Sequence, residues 1–124
     1  MSDSQVQSEW TSADAWILAA TETGRGQRLT HLIGAADAIS HAIPTRDEIS
    51  SAVGALRAAG LLECEGDRIS LTREGRKIRR HWKGGMFNWG PTLLPRLALI
   101  PRSDELYPVT EEDWEAAYRE YIAR

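Results

Sequence analysis

Six basic side chains fall within eleven residues: Arg73, Arg76, Lys77, Arg79, Arg80 and Lys83, with His81 among them and Glu74 alone opposing. On a helix, Arg73, Lys77 and Arg80 share one face, and Arg76, Arg79 and Lys83 share a neighbouring one. The chemistry of such a cluster is contact with phosphate oxygens, which raises affinity without reading sequence. A second set is Thr45, Arg46, Ser50 and Arg57, with Gly54 between the last two. At helical spacing these residues form the expected outward face, where arginine reaches guanine edges or phosphates and serine contacts either. Arg68 completes the set of candidate DNA contacts. Asp47 and Glu48 at the start of that helix, and Glu63, Glu65 and Asp67 around Arg68, oppose phosphate.

Other chemistries find no support. His31 and His41 stand ten apart, with no Cys, Asp or Glu at a metal-binding spacing, so no metal site is expected. No glycine loop suited to phosphates and no nucleophile elbow occurs, and Gly24-Arg25-Gly26 is too short to count as a nucleotide motif. The single cysteine, Cys64, is expected to face inward on a strand as an inert thiol. The expectation is therefore no enzyme, no catalytic residue and no cofactor.

The elements that must position these residues are clearest from 45 to 75. Thr45 and Glu48 have capping-box spacing, and Pro44 ends whatever helix precedes them. Ile49, Val53 and Leu56 line one helical face, with Ala52 and Ala59 beside them. Gly60 suits the left-handed position just after the helix. Two short alternating runs, 61–65 and 68–72, flank Gly66-Asp67, the signature of a tight hairpin whose inward side chains are Leu62, Cys64, Ile69 and Leu71. Thr72 caps the next helix, which carries the basic cluster and is anchored by Ile78 and Trp82.

Upstream, residues 1–10 read as a flexible N-terminus. A helix follows from Thr11 or Ser12 to Thr21, with Trp16 in the core and Gly24-Arg25-Gly26 as its stop. Leu29–Ser40 is a second helix, with Thr30 as its cap and Asp37 paired to His41. With the helix after Thr45 and the short connection 41–44 it makes a helix-turn-helix pair. Downstream, Gly84-Gly85 breaks the basic helix. Prolines at 91, 95 and 101 predict a less regular segment whose Phe87, Trp89, Leu93, Leu94 and Leu97 need covering by the body or by a second copy. A terminal helix over 110–123 is capped by Thr110, with Trp114, Ala117, Tyr118 and Tyr121 as its apolar stripe.

The expected fold is thus mainly α with a small two-stranded β-hairpin. It is a winged helix-turn-helix over residues 11–83, followed by a C-terminal helical extension over 84–124. The run GLLECEGDRISLTREGRKI resembles the recognition-helix end and wing of bacterial winged-helix regulators of the MarR and PadR kind. The longer run LIGAADAISHAIPTRDEISSAVGALRAAGLLE resembles a group of small uncharacterised prokaryotic winged-helix proteins. The resemblance covers roughly residues 14 to 80. It implies the fold, and by analogy a transcriptional regulator that binds double-stranded DNA through Thr45, Arg46, Ser50 and Arg57 on the recognition helix. Arg68, Arg73, Arg76, Lys77, Arg79 and Arg80 on the wing and the following helix would complete that surface.

The totals are compatible with this. The chain of 124 residues is long enough to bury one core without staples. One cysteine excludes an intramolecular disulfide framework, and no apolar run reaches membrane-spanning length, so a cytoplasmic protein is expected. The net charge is −3, but residues 25–83 carry 11 basic and 7 acidic side chains, so the body is positive between acidic ends. A homodimer through 86–100 or through the terminal helices is a further expectation. The alternative function is a winged-helix module for protein interaction or assembly, in which the acidic hairpin and the apolar 86–100 segment form the interfaces.

Overall fold

The computed structural model describes residues 8–22, 26–85 and 88–123. Among them are six helices and one two-stranded antiparallel hairpin, in the order α1 (Ser12–Ala20), α2 (Leu29–Ser40), α3 (Arg46–Ala58), β1 (Leu62–Glu65), β2 (Arg68–Leu71), α4 (Arg73–Arg79), α5 (Trp89–Leu97) and α6 (Glu111–Ile122). The proposed stop at Gly24-Arg25 and the apolar Phe87 lie outside the described residues.

Local chemistry sets most of the boundaries. Thr45 and Glu48 close a reciprocal capping box on α3, as Thr110 and Asp113 do on α6 and Thr11 and Asp14 on α1. At the far end of α3, Gly60 takes φ +80°. The N–H groups of Gly60 and Leu61 donate to Arg57 O and Leu56 O, which gives the last carbonyls partners. The chain then reverses into the hairpin, where Cys64 pairs with Ile69 and Glu65 with Arg68 across the Gly66-Asp67 turn. Leu62, Ile69 and Leu71 point into the core, while Glu63, Glu65 and Arg68 face water. Gln27 adds a bridge beside β2 by exchanging two backbone hydrogen bonds of 2.8 Å with Ile69.

The core is built around α1. Every residue from Asp14 to Ala20 is buried, because α2, α3 and α5 all pack against this helix. Its apolar content is therefore not confined to a stripe, unlike that of α3 or α6. Ile17, Leu18, Leu32, Ile33, Ile49, Leu56 and Leu93 are all fully buried with it. Each such side chain contributes about 1.5–3 kcal/mol relative to exposure.

Three local readings need correction. The cap of α2 is the backbone of Arg28, not Thr30; the Thr30 hydroxyl lies inside the helix and donates to Glu120 of α6. The helix expected to run from Thr72 to Lys83 ends at Arg79 and continues only as a turn. The proline-rich segment contains a regular helix, α5. Pro91 sits in its first turn, where an N–H is orphaned anyway, and Pro95 costs only one internal bond in a short element.

The extension folds back on the rest of the chain. Trp89, Leu93 and Leu97, four residues apart, turn towards α1, and Leu93 and Leu97 are fully buried. Trp89 stacks on Trp16 with ring centroids 6.1 Å apart, while Trp16 donates its indole N–H to Ala36 O. Leu93 and Leu97 are thus spent within the chain, whereas Trp89 and Leu94 also line an open groove. A bidentate pair between Arg102 and Asp14 pins the end of the segment to α1, and α6 then lies against α2. No helix among the described residues is long and apolar enough to cross a membrane.

Candidate nucleic-acid interface

Two surfaces carry the residues singled out from the sequence, and they have different fates. The first is α4 with its flanks. Gly75, in its first turn, presses against the hairpin so closely that a Cβ there would stand 2.0 Å from Leu61 O. This contact sets α4 at the foot of the hairpin, with the opposite side open. Arg73, Arg76, Lys77 and Arg80 are exposed around a hollow of ≈440 Å³ floored by Leu71. Lys77 makes a solvated ion pair with Glu74 at 3.4 Å, and one Arg76 nitrogen reaches Leu71 O at 3.3 Å. Neither contact consumes the charge, since an exposed pair of this kind contributes well under about 1 kcal/mol.

Arg79 has another role. Its Nε and Nη2 donate to Ala19 O at 3.1 and 2.9 Å, at the carbonyl end of α1, and its guanidinium lies over the Trp82 ring. Burial lowers its pKa from the ordinary value. It closes the last turn of α1 together with Gln27, whose amide donates to Ala20 O. Arg79 is therefore a structural arginine with little of its charge offered to a ligand. The turn after α4 extends the basic surface instead. Lys83 is exposed, and His81 stands 3.0 Å from an Arg96 nitrogen. Desolvation, followed by the charges of Arg96, Arg80 and Lys83, holds the His81 pKa below its usual value.

The second surface is the face of α3 that the sequence placed outward, and here Ser50 and Gly54 are buried while Arg46 and Arg57 are half-covered. Residues 103–109 lie along it. Ser50 is buried; its hydroxyl donates to Tyr107 O at 2.6 Å and its carbonyl accepts from Tyr107 N at 2.9 Å. Gly54 meets the crossing backbone directly, so that a Cβ would be 2.1 Å from Glu105 O and 2.6 Å from Leu106 Cα. Arg57 pairs with Glu105 at 3.0 Å and lies over the Tyr107 ring. Arg46 donates to Val109 O at 2.9 Å and faces the carboxylates of Glu111 and Asp47. Thr45, although exposed, is occupied by its capping box.

Gly54 is the residue that admits the crossing segment. A glycine in the middle of a helix costs about 1 kcal/mol relative to alanine, and in an otherwise well-capped helix that cost marks a close backbone approach. Arg96 was not singled out at all, and no pattern in the sequence pointed to its position beside His81.

Arg68 is exposed on β2 and reaches Gly26 O at 3.4 Å, while Arg28 faces Asp67 across the hairpin turn at 3.6 Å. Cys64 is half-buried, and burial raises its thiol pKa against the opposing influence of Arg57. No three His, Cys, Asp or Glu side chains among the described residues gather as a metal site. No protein-family model, curated protein or solved structure matches this chain.

Proposed function

We propose that the chain is a winged helix-turn-helix protein that holds double-stranded DNA by its phosphates, in the manner of a transcriptional regulator of the MarR and PadR kind. The element order supports the fold reading. A helix, a bridging residue beside the hairpin, two helices joined by a short turn and the hairpin follow one another as in a winged helix. The basic surface at the foot of the hairpin carries the functional reading. Four exposed cations, Arg73, Arg76, Lys77 and Arg80, surround one hollow, with Glu74 paired to Lys77 at its side.

Four phosphate contacts correspond to a slope of about −3.6 in log affinity against log salt, or roughly a hundredfold loss between 50 and 200 mM. Fluorescence anisotropy with a random-sequence duplex at those two concentrations is the test. Arg73→Ala/Arg76→Ala/Lys77→Ala/Arg80→Ala should abolish most binding and flatten the slope, while leaving Arg79 to hold α1. Absence of binding to wild type at 50 mM salt would refute the reading.

A second reading, a protein-interaction or assembly module, draws on a different observation. A groove of ≈760 Å³ runs between Trp10, Trp89, Pro91, Leu94 and Pro95, and Leu99 nearby is 85% exposed. An apolar groove beside an exposed leucine is a surface a partner side chain could fill. If the groove serves self-assembly, wild type should associate at micromolar concentration in sedimentation velocity and Leu99→Glu should not.

A further inference from the structure

The residues on the covered face of α3 are Arg46, Ser50, Gly54 and Arg57, spaced by four, four and three. They form one stripe, and each of them touches the segment 103–111. Resting on the DNA-binding reading above, we propose that residues 103–123 form an autoinhibitory cover. In the closed state the protein contacts DNA through α4 alone, and α3 can enter a groove only after the cover lifts.

The chemistry of the cover supports this. Glu105 and Glu111 hold their carboxylates against Arg57 and Arg46, as phosphate oxygens would. The crossing segment is held by hydrogen bonds and partly exposed ion pairs, with Tyr107 packed at the edge of the core and Val109 buried in it. Leu106 is 63% exposed, and Asp104, Glu105 and Pro108 face water. Water or phosphate can replace the polar contacts, so the stretch around Glu105 and Leu106 is the part that opens most readily.

Geometry sets what must move. Arg102 is pinned to Asp14 at one end, and α6 is docked on α2 at the other, with the Trp114 indole donating to Pro44 O. The segment runs directly into the Thr110 cap of α6, so the two form one continuous cover.

Gly54→Ala is the direct test in the full chain, because its methyl group would collide with Glu105 O without altering any charge. Hydrogen exchange of the Tyr107 amide, which donates to Ser50 O, should accelerate, and duplex affinity should rise at least about tenfold as the competent fraction grows. A second variant guards against a folding defect. Glu105→Ala/Glu111→Ala should raise affinity more than Glu112→Ala/Glu115→Ala, an equal change of charge at exposed carboxylates that pair with neither arginine. Faster exchange at Tyr107 with unchanged affinity would overturn the cover while leaving contact through α4 intact. Equal effects of the two double variants would overturn it as well. If neither wild type nor Gly54→Ala binds a duplex at 50 mM salt, the DNA reading falls and the cover falls with it.

Discussion

Replacing Arg102 by methionine tests the buried ion pair that ties the extension to α1. The Arg102 side chain is 6% exposed and that of Asp14 is 1% exposed. Two guanidinium nitrogens meet the carboxylate at 2.8 and 3.1 Å, and further donors reach Ser51 Oγ, Ser8 Oγ and Ser103 O. Methionine keeps much of the apolar stem, which passes the Trp10 ring, but strands the carboxylate with the Thr11 N–H as its remaining partner among these contacts. Removing one member of a buried pair costs about 3–5 kcal/mol, because the other is left charged and dry. Against a total of about 5–15 kcal/mol, the variant should remain folded but with a much lower denaturation midpoint. Asp14→Asn should cost less, since Arg102 retains three neutral acceptors. The double variant should fall short of the sum of the two by about 2 kcal/mol, because its second change no longer strands a charge. Urea unfolding followed by tryptophan fluorescence measures all three. A loss below about 1 kcal/mol for Arg102→Met would refute the reasoning, as the pair would then have to be solvated and the extension loosely held.

Two further outcomes follow from the same geometry. Gly75→Ala should destabilise by about 1–3 kcal/mol in urea unfolding despite a gain in helix propensity, because its Cβ would overlap Leu61 O at 2.0 Å. The His81 pKa is held low by desolvation and by Arg96, Arg80 and Lys83, and a bound phosphate would raise it. Binding should then take up a proton, so that duplex affinity rises as pH falls below the ordinary histidine range, and His81→Asn should remove that dependence in anisotropy titrations.

What could be read from the sequence was what depends on neighbours a few residues apart. The capping boxes at Thr45 and Thr110, the left-handed Gly60 and the Gly66-Asp67 turn all form within one or two turns of chain, and each is present. The stripe of Arg46, Ser50 and Arg57 was just as visible as a pattern, but its meaning was not. A polar helical face looks the same whether water, a phosphate backbone or the chain's own carboxylates cover it. The covering partner lies about fifty residues away in sequence, and nothing local specifies that pairing. Arg79 illustrates the same limit: among six similar cations, its role depends on the position of Ala19 O. The prolines misled for a more specific reason. Pro91 occupies a first turn where its missing N–H is harmless, so α5 is compatible with residues that usually argue against a helix.

The distribution of charge joins these features into one argument. The extension is acidic and the body is basic, yet the extension does not neutralise the body evenly. Glu105 and Glu111 meet the arginines of α3, whereas among the described residues Arg73 and Arg76 of α4 and Arg80 after it make no ion pair with the extension. A closed molecule therefore keeps an attractive surface for polyanions while its grooved-helix face is shut, which permits approach before recognition. The salt dependence distinguishes the two states independently of absolute affinity. With four cations engaged the slope is about −3.6, and with Arg46 and Arg57 added it becomes about −5.4. A steeper slope for Gly54→Ala than for wild type would mean that new phosphates are contacted when the cover lifts. An equal slope with higher affinity would mean that lifting it only relieves repulsion from the acidic extension, and α3 would then have no part in holding DNA.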